Sequence, residues 1–314
     1  MTGATGFVGE HIYSTLVEHG FDVICGTRHP TEAAKDDSVR QFCQFDLDDP
    51  ASVARALSRV DRAIYLAHSM GDDGGEDFLE HERRHAETFR DAAAEKGLDR
   101  IVYLGGMRPA GELSRHLESR LMTGEILRGG KVPTIELRAT MILGGGSESF
   151  RIVRDLAARL PVMILPKWLE NKSQPVAIAD IGEAIAHALE MPIEGSVVYT
   201  APGPETLSGR DIILRTAELL GQKPKAIEVP LVTPRLSSYW IRLVTRANPD
   251  VARELVEGLR SDIVSQGKEI WTSMPDFERT PFDRAVTMAL REEEESVPPS
   301  MRIVERALHG LARA

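Results

Sequence analysis

Three glycines at the start of the chain have the types and spacing for chemistry with phosphate. Gly3, Gly6 and Gly9 stand in TGATGFVG at the spacing G-x-x-G-x-x-G, and the helical stretch EHIYSTLVEHG follows directly. Such glycines let a backbone turn tightly, approach a pyrophosphate and pack helix against strand, while the helix N-terminus attracts the anion. At the end of the next apolar run an NAD-preferring site would place an Asp or Glu for the ribose hydroxyls. This chain has Gly26-Thr27-Arg28 there. A guanidinium suits a bidentate hold on a 2′-phosphate, so NADP(H) is favoured over NAD(H), against the plainer reading of a solvated strand-end arginine. Asp46-Leu47 closes the following run, where a carboxylate can accept a hydrogen bond from the adenine amino group, and Ala67 closes the one after it, beside the dinucleotide.

A second group of residues could move protons. His116 and Arg120 lie four apart on a helical pattern, which places both on one face, one turn apart. An imidazole with an intrinsic pKa of about 6.5 can act as a general acid at neutral pH, and the guanidinium can bind ribose hydroxyls or a substrate carboxylate. A structural or merely substrate-contacting His116 is the alternative. His68, followed by Ser69, stands at the end of an apolar run, where open α/β sheets place ligands, and is the second candidate proton donor. Tyr103 reads as packed in the sheet and Arg138 as bracing a loop.

The elements that must position these residues alternate in type. Strand-like runs at 23–28, 42–47, 63–68, 101–106 and 134–139 are separated by helix candidates near 8–19, 50–58, 77–96 and 113–129. That rhythm predicts an α/β fold, a doubly wound parallel sheet of Rossmann type with helices on both faces. Past residue 145 it loosens into a helix near 148–159, the segment PVMILP, the run QPVAIADIGEAIAHALE, the strand GSVVYT and a helix from Ser208. The expected division is a dinucleotide-binding core over 1–165 and a smaller, mainly helical substrate-binding lobe over 166–314, partly interleaved with the core. Leu236, Tyr239, Trp240, Leu243 and Val244 form one apolar helix face, suited to a substrate pocket, a dimer contact or core packing. The run Glu292 to Glu295 before SVPPS reads as a solvated helix end. Only Met1 precedes the Thr2-Gly3 turn, where a buried first strand of about five residues is usual. The expectation is either an apolar strand encoded just upstream, whose addition raises the melting temperature, or a sheet without its central strand.

Composition narrows the classes. The 314 residues carry a net charge of −10 and no dense Lys/Arg cluster, which argues against a nucleic-acid partner. At 42% apolar and 27% charged the chain resembles an average globular protein, and no run approaches the ~18 apolar residues of an integral membrane segment. Cys25 and Cys43 form no Cys-x-x-Cys pair and no signal peptide is visible, so neither a disulfide framework nor a thiolate metal site is indicated; no metal is assigned, and a reducing cytoplasm is the expected compartment. The expected partner is a small-molecule substrate, and the expected state a monomer or homodimer.

TGATGFVG, GTRHP, FDLDD, YLAHSMG, RIVYLGG, ELRATMILG and QPVAIADIGEAI run in order across residues 2–185. In them the chain resembles an atypical member of the short-chain dehydrogenase/reductase superfamily with an extended-type TGxxGxxG loop. The resemblance implies a cofactor-contact set of Thr2, Gly3, Thr5, Gly6, Phe7, Val8, Gly9, Arg28, Asp46, Leu47, Ala67 and Gly105. In enzymatic members a Ser after the strand and a Tyr-x-x-x-Lys on the next helix carry hydride chemistry. Here the strand ends in Gly105-Gly106, and the helix offers His116 and Arg120 at the Tyr/Lys spacing. The function this implies is an NADP(H)-dependent oxidoreductase acting on a small, apolar carbonyl or enone. Two alternatives stay open: a nonenzymatic NADP(H)-binding sensor, and an NAD(P)-dependent epimerase or dehydratase, whose enzymes generally use the missing Tyr.

Overall fold

The computed structural model of the chain describes residues 1–67, 76–111, 113–159, 162–223, 225–229 and 261–296. The first half alternates helix and strand: α1 (Phe7–Glu18), β1 (Ile24–Thr27), α2 (Pro30–Asp36), β2 (Gln41–Gln44), α3 (Pro50–Leu57), β3 (Arg62–Tyr65), α4 (Glu76–Lys96), β4 (Arg100–Gly106), α5 (Arg115–Arg128) and β5 (Thr134–Ala139). There follow β6 (Ile142–Leu143), α6 (Glu148–Arg159), β7 (Val162–Pro166), β8 (Lys172–Ser173), β9 (Val176–Ala177), α7 (Ile178–Glu190), β10 (Val197–Thr200), β11 (Leu207–Ser208), α8 (Gly209–Leu219), β12 (Lys225–Val229) and α9 (Phe282–Ser296).

The strands pair in parallel, β1 with β2 in one ladder and β10-β5-β4-β3 in another. Met1 and Thr2 hold the seam between the ladders. The Gly26 amide donates to the Met1 carbonyl at 2.8 Å, and the Thr2 amide donates to the Ile64 carbonyl at 2.9 Å. The central place between β1 and β3 is thus filled by these two residues, and the order across the sheet is that of a Rossmann fold.

Alternation along the strands feeds two cores. Ile64, Val102, Ile135 and Leu137 point to one face, where Ile12 and Leu16 of α1 and Ile181 and Ile185 of α7 cover them. Tyr65, Ile101 and Tyr103 point to the other, against Val53 of α3, Phe89 of α4 and Leu127 of α5. Both sheet faces are buried, as a parallel sheet requires. A third core joins Phe150 and Val153 of α6 to Ile212 of α8 and to Phe282 and Val286 of α9.

Local signals explain the element ends. Asp49 caps α3 by accepting from the Ala51 amide at 3.0 Å, with Pro50 at the first helical position. Ser208 and Asp211 form a capping box at the start of α8. The acidic run expected as a solvated helix end makes structural contacts: Glu292 accepts from the Gly145 amide at 2.7 Å, and Glu293 pairs with Arg154. The apolar stripe Leu236 to Val244 lies outside the described residues. Among the described residues no helix is long and apolar enough to cross a membrane.

Candidate functional site

The carboxyl ends of the parallel strands border a groove of about 1070 Å³. Its floor and one wall come from the glycine loop. Gly3 adopts a left-handed φ of 61°, so a side chain there would be strained. Gly9 lies so close to the loop that a Cβ on it would sit 2.4 Å from the Gly3 carbonyl oxygen and 2.7 Å from Ala4 Cα. Gly6 is the N-cap of α1 and gives it no side-chain cap, leaving the first-turn amides to an anion in the groove. Arg40 braces the loop from behind, donating to the Ala4 carbonyl at 3.1 Å while paired with Asp37.

Gly3, Thr5, Gly6, Phe7, Val8, Gly9, Arg28, Asp46, Leu47 and Ala67 all line the groove, as do His116 and Arg120. Thr2 and Gly105 do not. Thr2 is buried, and its Oγ1 accepts from the Leu66 and Ala67 amides at 2.9 and 3.1 Å, tying the end of β3 to the glycine turn. Gly105 is buried within β4, its place for a Cβ taken by Tyr103 and Glu136, while its neighbour Gly106 faces the groove. His68 and Ser69 lie outside the described residues.

Helix α5 brings the proton-transfer candidates to the groove. Ser114 caps it, its Oγ accepting from the Leu117 amide at 3.3 Å, which sets His116 in the first turn. The His116 ring lies 4.9 Å from that of Phe78. Tyr103 is buried as expected and donates to the Arg120 carbonyl at 2.8 Å, pinning the helix to the sheet; burial pushes its phenol well up, so it stays a neutral donor. A Cβ on Gly106 would lie 2.5 Å from Leu117 Cδ1. Leu117 Cδ1 therefore sits where a side chain at position 106 would begin.

Sequence reasoning did not single out Met107, Ser114, Thr140, Met141 or Ser147, which also line the groove. Ser114 carried a readable signal, an N-cap residue ahead of a helical pattern. It also passed over Asp48, His81 and His85, at the groove beside Asp46, although His81-Glu82-Arg83-Arg84-His85 is a helical His pair written in the sequence.

The cradle fits a dinucleotide: close-packed glycines, an uncapped helix start and a groove of sufficient volume lie together. Comparison with known proteins agrees. Residues 3–130 match the NAD(P)H-binding family model. The chain is 24% identical over 269 residues to the ceramide reductase of Caulobacter vibrioides, covering 82% of this chain and 83% of that protein. Citrobacter sp. triphenylmethane reductase, solved as a complex with NADP(H), superposes with a TM-score of 0.72 at 16% identity over 92% of this chain and 98% of that one. The UDP-glucose 4-epimerase of Thermotoga maritima does so with a TM-score of 0.70 at 13% identity over 95% and 98%. Residues 3–130 thus form an NAD(P)H-binding domain, carried in a Rossmann fold.

Proposed function

We propose that the chain is an NADP(H)-dependent oxidoreductase that reduces a small, apolar carbonyl or enone. The observation that carries this reading is the meeting of His116 and Arg120 with the glycine loop in one groove, beside the apolar side chains of Met107, Leu117 and Met141. Two of the similar proteins are named reductases, and one of these was solved with NADP(H).

The glycine loop and the start of α1 would hold the pyrophosphate, Arg28 the 2′-phosphate, and Asp46 and Leu47 the adenine side. The cofactor, when bound, supplies a hydride. His116 gives a proton from an imidazole nitrogen to the substrate oxygen. Arg120 orients that oxygen or the ribose hydroxyls, and the apolar wall keeps water from competing for the same proton. Loss of NADPH absorbance with a panel of apolar carbonyl compounds tests the reading; no turnover with any of them, at saturating NADPH, opposes it. Gly105-Gly106 at the strand end, in place of a serine, favours a second reading, a nonenzymatic NADP(H) sensor, which binds the cofactor without consuming it.

Two substitutions separate the parts of the cofactor site. Arg28→Ala is expected to weaken NADPH binding by about 1.5–3 kcal/mol and to leave NADH nearly unchanged, since it removes a charge-assisted phosphate contact. Equal losses for both cofactors in a fluorescence titration would remove Arg28 from the phosphate site. Gly9→Ala is expected to weaken both alike, by about 1–3 kcal/mol, because the added methyl meets backbone that must shift. Unchanged affinity for both would show that the loop does not cradle the cofactor.

A further inference from the structure

Helix α4 carries His81 and His85 four residues apart, so their side chains leave one face a turn apart. The rings lie 4.0 Å apart between centroids, and the two Nε2 atoms approach the same acceptor, Asp48 Oδ1, at 3.0 Å each. An ionised carboxylate only accepts, so both imidazoles direct an Nε2 proton at one oxygen. Those bonds, that of His85 foremost, hold the Asp48 carboxyl below the usual carboxylate range. The three ligand atoms lie within 4.8 Å of one another, and all three residues line the groove.

We propose that Asp48, His81 and His85 form a divalent transition-metal site of the Zn²⁺ class, with two imidazole nitrogens and one carboxylate oxygen as ligands. Tetrahedral zinc with bonds of about 2.0–2.1 Å sets its ligand atoms about 3.3 Å apart. The observed N–O separations of 3.0 Å are a few tenths short of that. Each imidazole binds through Nε2 as the neutral Nδ1–H tautomer, its Nε2 proton passing to water while Nδ1 keeps or takes up one, and a small adjustment of the side chains makes room for an ion. The His85 side chain is only 10% exposed and gives a fixed ligand, whereas that of Asp48, 62% exposed, can adjust. Two imidazoles with one carboxylate suit zinc and its transition-metal neighbours, while Mg²⁺ and Ca²⁺ call for oxygen ligands. Glu82, between the histidines, is buried and acts electrostatically on Tyr65 and Tyr103 of the sheet.

The test is a calorimetric titration of the EDTA-treated full chain with Zn²⁺, and separately with Mg²⁺, without NADPH, so that its outcome is independent of the cofactor reading. The expected result is one Zn²⁺ per chain at micromolar affinity and no saturable Mg²⁺ binding. His81→Ala, His85→Ala and Asp48→Asn should each weaken Zn²⁺ on the order of 10-fold or more. His19→Ala, which removes an imidazole paired instead with Glu183, should leave the titration unchanged. Asp48→Asn keeps size on an exposed side chain and keeps the test decisive if His85→Ala folds poorly, as circular dichroism will report. Absence of saturable Zn²⁺ binding to the wild-type chain overturns the proposal, and so does wild-type affinity and stoichiometry in Asp48→Asn and His81→Ala.

Discussion

His116→Ala is expected to lower kcat for carbonyl reduction by roughly 10²–10⁴-fold while NADPH affinity stays close to that of the unaltered chain, the usual effect of removing a positioned proton donor. The side chain lies in the first turn of α5, lines the groove and sits beside the Phe78 ring. Its loss should therefore reach the proton step and spare cofactor binding. Arg120→Ala should act differently, raising KM or the NADPH Kd, because a guanidinium contributes binding contacts in ground and transition states alike. Steady-state kinetics beside a fluorescence titration of NADPH distinguish the two effects. Full activity in His116→Ala with loss in His68→Ala would move the proton route to His68. If neither matters, and no carbonyl consumes NADPH, the sensor reading is the better one.

What the sequence made legible was what depends on local pattern. Gly3 and Gly9 announce the loop because a left-handed φ at the first and close backbone approach at the second disfavour any other residue there. The alternation of Ile64 and Leu66 with Ala63 and Tyr65 announces β3 because a parallel sheet buries both faces. Arg28, Asp46 and Ala67 could be assigned to one groove since a Rossmann sheet gathers its strand ends. The rest depends on contacts between distant residues. Helix α2 has only seven residues, too few for a periodic signal. Asp48 meets His81 and His85 across 33 and 37 residues of chain, so the pair on α4 was readable but its carboxylate partner was not. Leu117 reaches position 106 of β4 from a neighbouring helix, a contact no local motif records. Glu292 looked like part of a solvated run because its acceptor role depends on the loop at Gly145, 147 residues away in sequence.

Glu136→Ala is expected to destabilise the fold by about 3 kcal/mol, the lower end of the range for breaking a buried ion pair by removing one partner. The Glu136 side chain is fully buried on β5, its Oε1 accepting from Arg138 Nε and its Oε2 from Arg128 Nε, each at 2.7 Å. The two guanidiniums remain 25% and 18% exposed, so water recovers part of what they lose, which sets the lower figure. Gly124 on α5 makes space for the carboxylate: a Cβ there would lie 2.5 Å from the Glu136 carboxyl carbon. Gly124→Ala in the unaltered chain should therefore destabilise by about 1–3 kcal/mol through overpacking. With Glu136 shortened to alanine the clash is gone, and the same substitution should stabilise, because alanine is favoured over glycine inside a helix by about 1 kcal/mol. Urea denaturation of the four chains, read as midpoints at constant slope, completes the cycle. A Gly124→Ala effect of the same sign in both backgrounds would show that the carboxylate does not set the approach of α5 to the sheet. A reversal of sign would tie the placement of His116 and Arg120 to a buried charge on the strand behind them.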